Sequence, residues 1–218
     1  MLSGRRRTAG RRENVARGTR VGETVDQHCL DTLILKARTQ NGWLDRPVTD
    51  EQLRRIYDIM KQGPTSANTC PARILFLRTP EAKARLLPAL SPGNGDKTKA
   101  APVTAIIGYD TRFFELLPTK LFAHRPEMAD NYAKNPPHAE TTAFRNGTLQ
   151  GAYFMLAARA VGLDVGGMSG FDNAKVDREF FPDGRVKSNF LCNVGYGDPA
   201  KVMQKLPRLD FEEACRLL

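Results

Sequence analysis

Several familiar signatures are missing from this sequence, and each absence removes a class of protein. No apolar run approaches the roughly 20 residues a helix needs to span a bilayer, and the first residues lack the apolar segment of a secretory signal. The four cysteines, Cys29, Cys70, Cys192 and Cys215, form no C-x-x-C pair, and His28, His124 and His138 are widely scattered. That spacing suggests no metal site, and free thiols in a reducing cytoplasm are the simplest expectation. Glycines crowd at Gly166, Gly167 and Gly170, yet they do not make the Gly-x-Gly-x-x-Gly dinucleotide pattern, and no Walker lysine follows them.

What is present describes a globular chain. Its 218 residues suffice for one sizeable core, with 41% hydrophobic and 26% charged residues. The net charge of +9 resembles a nucleic-acid signal until it is located. Residues 1–20 carry seven arginines against Glu13 alone, a net +6 of that +9. No aromatic residue interleaves these arginines, so nucleic-acid binding is not the expectation. A segment so poor in apolar residues is expected to be a disordered basic tail, residues 1–24, ahead of one domain over residues 25–218. An early start codon, with Val21 as the true start, would also explain it.

The chain is organised around Gly63-Pro64-Thr65-Ser66-Ala67-Asn68-Thr69-Cys70-Pro71-Ala72-Arg73. Short polar side chains between prolines and a glycine leave backbone N–H groups unclaimed by any ladder, which suits a polar, planar ligand as well as an ordinary turn. The helix that delivers this loop is strongly marked. Thr49 and Gln52 form a capping box, Val48 and Leu53 a hydrophobic staple, and Leu53, Ile56, Tyr57 and Met60 a stripe expected to be buried.

Elsewhere, apolar spacing predicts a helix over 26–38, closed by Arg38, Thr39 and Asn41 before Gly42. Strands are expected at 73–78, 101–109 and 188–196, and a short helix over 80–90. Asn94 and Lys97 fall on a mobile-looking loop. Residues 111–138, rich in aromatics and prolines, suit a cover over a cleft. The helix over 139–162 is apolar nearly all round in its second half, so two copies of the chain are expected to share it. Asp172 is placed to cap a helix after the glycine-rich turn, and Lys201, Lys205 and Arg208 form a basic cluster.

These elements resemble the nitroreductase family of flavin enzymes, in particular the branch with the malonic semialdehyde reductase of the Rut pyrimidine-utilisation pathway. The likeness runs from about residue 30 to the C-terminus. It rests on Ala37-Arg-Thr-Gln-Asn-Gly-Trp43, Gly63-Pro-Thr-Ser-Ala-Asn68, Pro71-Ala-Arg-Ile74, Asn94-x-x-Lys97, Thr142-Ala-Phe-Arg-Asn146, Met168-Ser-Gly-Phe-Asp172, Lys187-Ser-Asn189, Gly195-Tyr-Gly-Asp198 and Leu206-Pro-Arg-Leu209. Each motif is weak alone, and their number and order carry the resemblance.

The resemblance implies an α+β fold with a mainly antiparallel central sheet flanked by helices, and an intertwined homodimer with FMN at the subunit interface. It assigns the FMN phosphate to Arg38, Thr39, Asn41, Arg208 and, less closely matched in spacing, Lys205. Asn94 and Lys97 match the pair facing flavin N1 and O2, where negative charge builds on reduction. Backbone at Ser169-Gly170 meets N5, and Pro64, Thr65, Ser66 and Asn68 reach the partner's flavin. Arg73 is a candidate for a substrate carboxylate, although an arginine at the start of a strand is more commonly a salt-bridge partner.

The implied activity is ping-pong hydride transfer from NADH or NADPH through FMN, with reduction of malonic semialdehyde to 3-hydroxypropionate as the branch-specific reaction. A broad nitro- or quinone reductase is the alternative. A flavin- or nucleic-acid-binding protein without turnover is the rival from another class.

Overall fold

The computed structural model describes residues 22–218. The expected basic tail falls mostly on residues 1–21, outside the described residues. Four strands form one sheet in the order β1-β2-β4-β3: β1 Ala72–Leu77, β2 Val103–Asp110, β3 Asp164–Met168 and β4 Val186–Gly195. Every neighbouring pair is antiparallel. All eight residues of β2 are buried, which is why the strand is mostly apolar, with Thr104 and Asp110 as its polar exceptions.

Successive side chains of a strand point to opposite faces, so Ile106 and Ile107 enter different cores. On one face, Ile107 packs with Ile56 and Met60 of helix α2 (Asp50–Met60) and with Phe154 and Ala158 of helix α6 (Pro136–Ala160). On the other, Ile106 meets Leu86 of α3 (Pro80–Leu86), Val176 of α7 (Asn173–Phe180) and Leu191. Gly151 lets α6 lie close to the sheet, since a Cβ there would stand 2.4 Å from the Phe190 ring.

Local signals read from sequence appear as expected in several places. Thr49 and Gln52 form the capping box of α2, and Asp172 accepts from the N–H of Lys175 to cap α7. Others are corrected. The helix expected over 26–38 is a single α turn, α1 (Gln27–Leu30), continued by a π turn over Asp31–Leu35. The wider Lys36 N–H to Asp31 carbonyl bond closes it early. Tyr57 is 53% exposed, because the helix turns Leu53, Ile56 and Met60 inward, with Ile59 partly buried beside them. Helix α6 begins at Pro136, three residues early, since prolines fit a helix's first turn where N–H groups lack partners anyway. Residues 111–138 border a cavity through Leu116, Lys120 and Leu121 and are also a core element: Phe113 and Leu117 are fully buried beside Tyr132 of α5 (Glu127–Ala133), in a small core of their own.

Candidate active site

The site assembles along the edge of β3. After Met168 the chain turns through Ser169 and Gly170, whose carbonyl accepts from the Ser91 N–H at 2.9 Å and from Asn94 Nδ2 at 2.8 Å. A Cβ at Gly170 would sit 2.8 Å from that Nδ2, so a larger residue there would displace the Asn94 amide. Asn94 stays in the expected loop as the residue before helix α4 (Gly95–Ala100), whereas Lys97, expected on the same loop, is helical. Lys97 lies on α4. Its carbonyl accepts three donors: the Ala101 N–H at 3.2 Å, Trp43 Nε1 at 3.3 Å and Asn193 Nδ2 at 3.3 Å. Its ammonium has no partner among the described residues.

Residues 38–43 run beside β3. Thr39 bridges Val165 in parallel, and the Gln40 N–H donates to the Val165 carbonyl at 3.0 Å. Gly166 is needed for this approach, because a Cβ there would lie 2.4 Å from the Gln40 carbonyl oxygen. Arg38 donates to the Met203 carbonyl, and Lys205 Nζ to the Leu35 carbonyl at 3.0 Å, so the C-terminal segment returns to this ribbon. The Lys201 side chain also crosses Gly42. Arg208, by contrast, donates only to Leu206 and Pro207 of its own segment.

The loop that organises the sequence stands elsewhere. Tyr153 OH donates to the Pro64 carbonyl at 3.1 Å, the Ser66 N–H to Asn146 Oδ1 at 2.8 Å, and the Ala72 N–H to Gln150 Oε1 at 2.8 Å. Asn68 spends its amide on the Leu121 carbonyl. Ala67, Asn68 and Cys70 all hold positive φ, 46°, 50° and 41°. Such backbone costs about 1–3 kcal/mol per residue and persists only where surrounding contacts impose it. This loop leads into β1, at one edge of the sheet, while Gly170 follows β3 at the other. Three strand spacings, about 14 Å, separate the two edges within one chain.

Arg73 is engaged in structure. Its guanidinium pairs with Asp110 at 2.6 Å and donates to the Cys70 and Ala72 carbonyls. Asp110, 1% exposed, also holds Arg185 at 3.0 Å. That pairing raises the Arg185 pKa, chiefly through the hydrogen bond to Asp110. Arg73 nevertheless borders a cavity of about 1120 Å³ with Tyr57, Asn68, Cys70, Lys120 and Gln150.

Sequence reasoning did not assign Asn193, Lys83, Asn146 or Gln150. Asn146 closes a motif noted in the sequence, and its spacing from Gln150 on one helix face was a usable signal. Lys83 is 6% exposed and donates to the Lys99 and Ala101 carbonyls at the end of α4. Burial lowers its pKa. No helix is long and apolar enough to cross a membrane, and no cluster of candidate metal ligands occurs, among the described residues.

A four-stranded antiparallel sheet between helical layers, with cationic and amide donors gathered along one edge, defines an α+β protein. The chain belongs to the nitroreductase family, whose model matches residues 34–196. It is 55% identical over 190 residues to a provisionally named NADH dehydrogenase/NAD(P)H nitroreductase of Cupriavidus pinatubonensis, covering 86% of this chain and 96% of the relative. It is 57% identical, with the same coverage, to HadB of Ralstonia pickettii, which carries the same provisional description.

Solved structures share the fold at low identity. A provisionally named nitroreductase of Exiguobacterium sibiricum in complex with FMN aligns at TM-score 0.76 and 16% identity, covering 90% of this chain and 98% of that one. A gut-bacterial enone reductase aligns at TM-score 0.77 and 18% identity, covering 89% and 100%.

Proposed function

We propose that this chain is an FMN-dependent NAD(P)H oxidoreductase that serves two substrates in turn at one flavin. One observation carries the reading: Arg38, Thr39, Asn41 and Lys205 at one end of a ribbon along β3, and Asn94, Lys97 and Gly170 at the other, linked by the Trp43–Lys97 hydrogen bond. FMN combines a phosphate with a ring that gains negative charge on reduction, and this donor set offers cations to both. The names of the relatives and the FMN in the Exiguobacterium structure support the same cofactor and co-substrate.

Bound FMN supplies hydride acceptance and donation at N5. The chain's own residues bind and orient it. Arg38 and Lys205, with Arg208 assigned by resemblance, would neutralise the phosphate, and Thr39 and Asn41 would donate hydrogen bonds to it. Lys97 would oppose the charge that builds at N1 and O2, and the Ser169-Gly170 backbone would border N5.

The working unit in this reading is a homodimer. Phe144 (50%) and Leu149 (41%) on α6, and Leu206, Leu209 and Phe211 near the C-terminus, are apolar and exposed. Pro64, Thr65, Ser66 and Asn68 stand at the sheet edge opposite Gly170, where they suit the flavin of a second copy.

Malonic semialdehyde, reduced to 3-hydroxypropionate in pyrimidine breakdown, is the acceptor this reading assigns by resemblance. Arg73, the cation expected to hold its carboxylate, already pairs with Asp110, so the assignment draws little support from that side chain. A broad nitro- or quinone reductase is the second reading, favoured by the names of the 55–57% identical relatives. Purified protein should release FMN on denaturation, and NAD(P)H should bleach its flavin in stopped flow. Colourless protein that takes up no added FMN overturns the reading. A higher kcat/KM for a quinone or nitroarene than for malonic semialdehyde selects the second.

A further inference from the structure

We infer that Asn193 is a positioning residue for Lys97, holding the Lys97 carbonyl from within the sheet and so setting where the ammonium stands. The inference rests on the FMN reading above. Asn193 lies on β4 and is fully buried. Burying an amide is costly unless hydrogen bonds compensate. Here Oδ1 accepts from Thr104 Oγ1 at 2.7 Å, directly across the β2–β4 register, and Nδ2 donates to the Lys97 carbonyl at 3.3 Å. Met168 Sδ lies 3.8 Å from the same Nδ2. An apolar pair of similar shape would fill this position without any polar group to satisfy. What the polar pair adds is a directional link to one carbonyl of α4.

Helix α4 needs such links. At six residues it is far too short to be stable alone. Side-chain hydrogen bonds pin it to distant parts of the chain at three points. Asn94 ties its start to the Gly170 carbonyl, Trp43 and Asn193 meet at the Lys97 carbonyl, and Lys83 donates to the Lys99 and Ala101 carbonyls at its end. The middle pin falls on the residue whose ammonium is unpaired. It also refers that residue to β4, which pairs with β3 through Met168↔Leu191 immediately before Ser169-Gly170. The cation and the strand end assigned to opposite parts of the flavin ring therefore share one rigid reference. A Coulomb interaction falls off with distance, so a small drift of α4 weakens what Lys97 does for a reduced ring.

The test uses full-length, FMN-loaded protein with the paired change Thr104→Val/Asn193→Leu, which removes both polar partners together. The expected result is oxidised-FMN affinity near wild type with a lower midpoint potential. The drop should correspond to about a threefold loss of affinity for the reduced over the oxidised flavin, about 14 mV for a two-electron couple. In a Lys97→Met background the same paired change should leave the potential where Lys97→Met alone puts it. If the pair does not fold, Asn193→Ser serves, since its hydroxyl is too short to reach the Lys97 carbonyl. An unshifted potential in either variant, or an equal shift without Lys97, overturns the proposal while leaving the FMN reading intact. Wild-type protein that binds no FMN overturns both.

Discussion

The backbone N–H of Ser66 donates to Oδ1 of Asn146 at 2.8 Å across 80 residues of sequence. One turn further along α6, Gln150 Oε1 accepts from the Ala72 N–H. A buried helix thus holds both ends of a loop in which Ala67, Asn68 and Cys70 sit at positive φ. Asn146→Leu should cost about 1–3 kcal/mol, because the Ser66 N–H loses its acceptor. It should also raise proteolysis between residues 64 and 71. Unchanged cleavage with unchanged thermal stability would show that the loop keeps its shape without Asn146.

Lys97→Ala should leave the fold intact, since the ammonium has no partner among the described residues. The bound flavin should become harder to reduce. One charge-assisted contact is worth about 1.5–3 kcal/mol, or roughly 30–65 mV for a two-electron couple. Spectroelectrochemical titration reads this directly, and an unmoved potential would make Lys97 a surface lysine.

Arg38→Ala and Asn68→Ala should complement each other if each flavin uses both chains. Arg38 lies beside β3 and Asn68 before β1, at opposite sheet edges. In a mixed dimer one site carries both lesions and the other neither. Re-annealed mixtures should then recover activity, with mixed dimers at about half of wild type per flavin for independent sites. No recovery in mixed dimers proven by mass would place both residues at one chain's site.

Gly166→Ala and Gly167→Ala should differ sharply. A Cβ at Gly166 would stand 2.4 Å from the Gln40 carbonyl oxygen, whereas at Gly167 its nearest neighbour is Met155 Sδ at 3.6 Å. The first change should cost about 1–3 kcal/mol by overpacking, and the second little, as measured by denaturant unfolding. Equal costs would contradict this packing of residues 38–43 on β3.

Alkaline stability should depend on Cys192. Burial raises its thiol pKa from 9.0 to about 12. The unfolded chain therefore loses this proton first, and stability falls between pH 9 and 12 with a slope approaching about 1.4 kcal/mol per pH unit. Lys83 opposes this: burial lowers its pKa below 10.5, so its contribution makes stability rise with pH until 10.5 is passed. Cys192→Ala should reduce the alkaline decline above pH 10.5, seen as a flatter plot of unfolding free energy against pH. An identical slope would mean the thiol does not contribute.

Elements written in neighbouring residues were determined by the sequence alone. The Thr49–Gln52 capping box, the Asp172 cap and the apolar run of β2 depend on contacts within a few positions, so their chemistry is visible in one dimension. The motifs around Arg38, Asn94, Lys97 and Gly170 were likewise readable as motifs. Tertiary structure alone decided how they meet. Asn94 reaches Gly170 across 76 residues and Asn193 reaches Lys97 across 96, and both contacts exist only once strand register has been set. Helix α4 lacked a readable signal because its stability comes from Lys83, Trp43 and Asn193 rather than from its own six residues. Arg73 could be read as a ligand for substrate until β2 brought Asp110 beside it. A hydrogen bond between distant residues depends on a position in space, and only the completed sheet supplies that position.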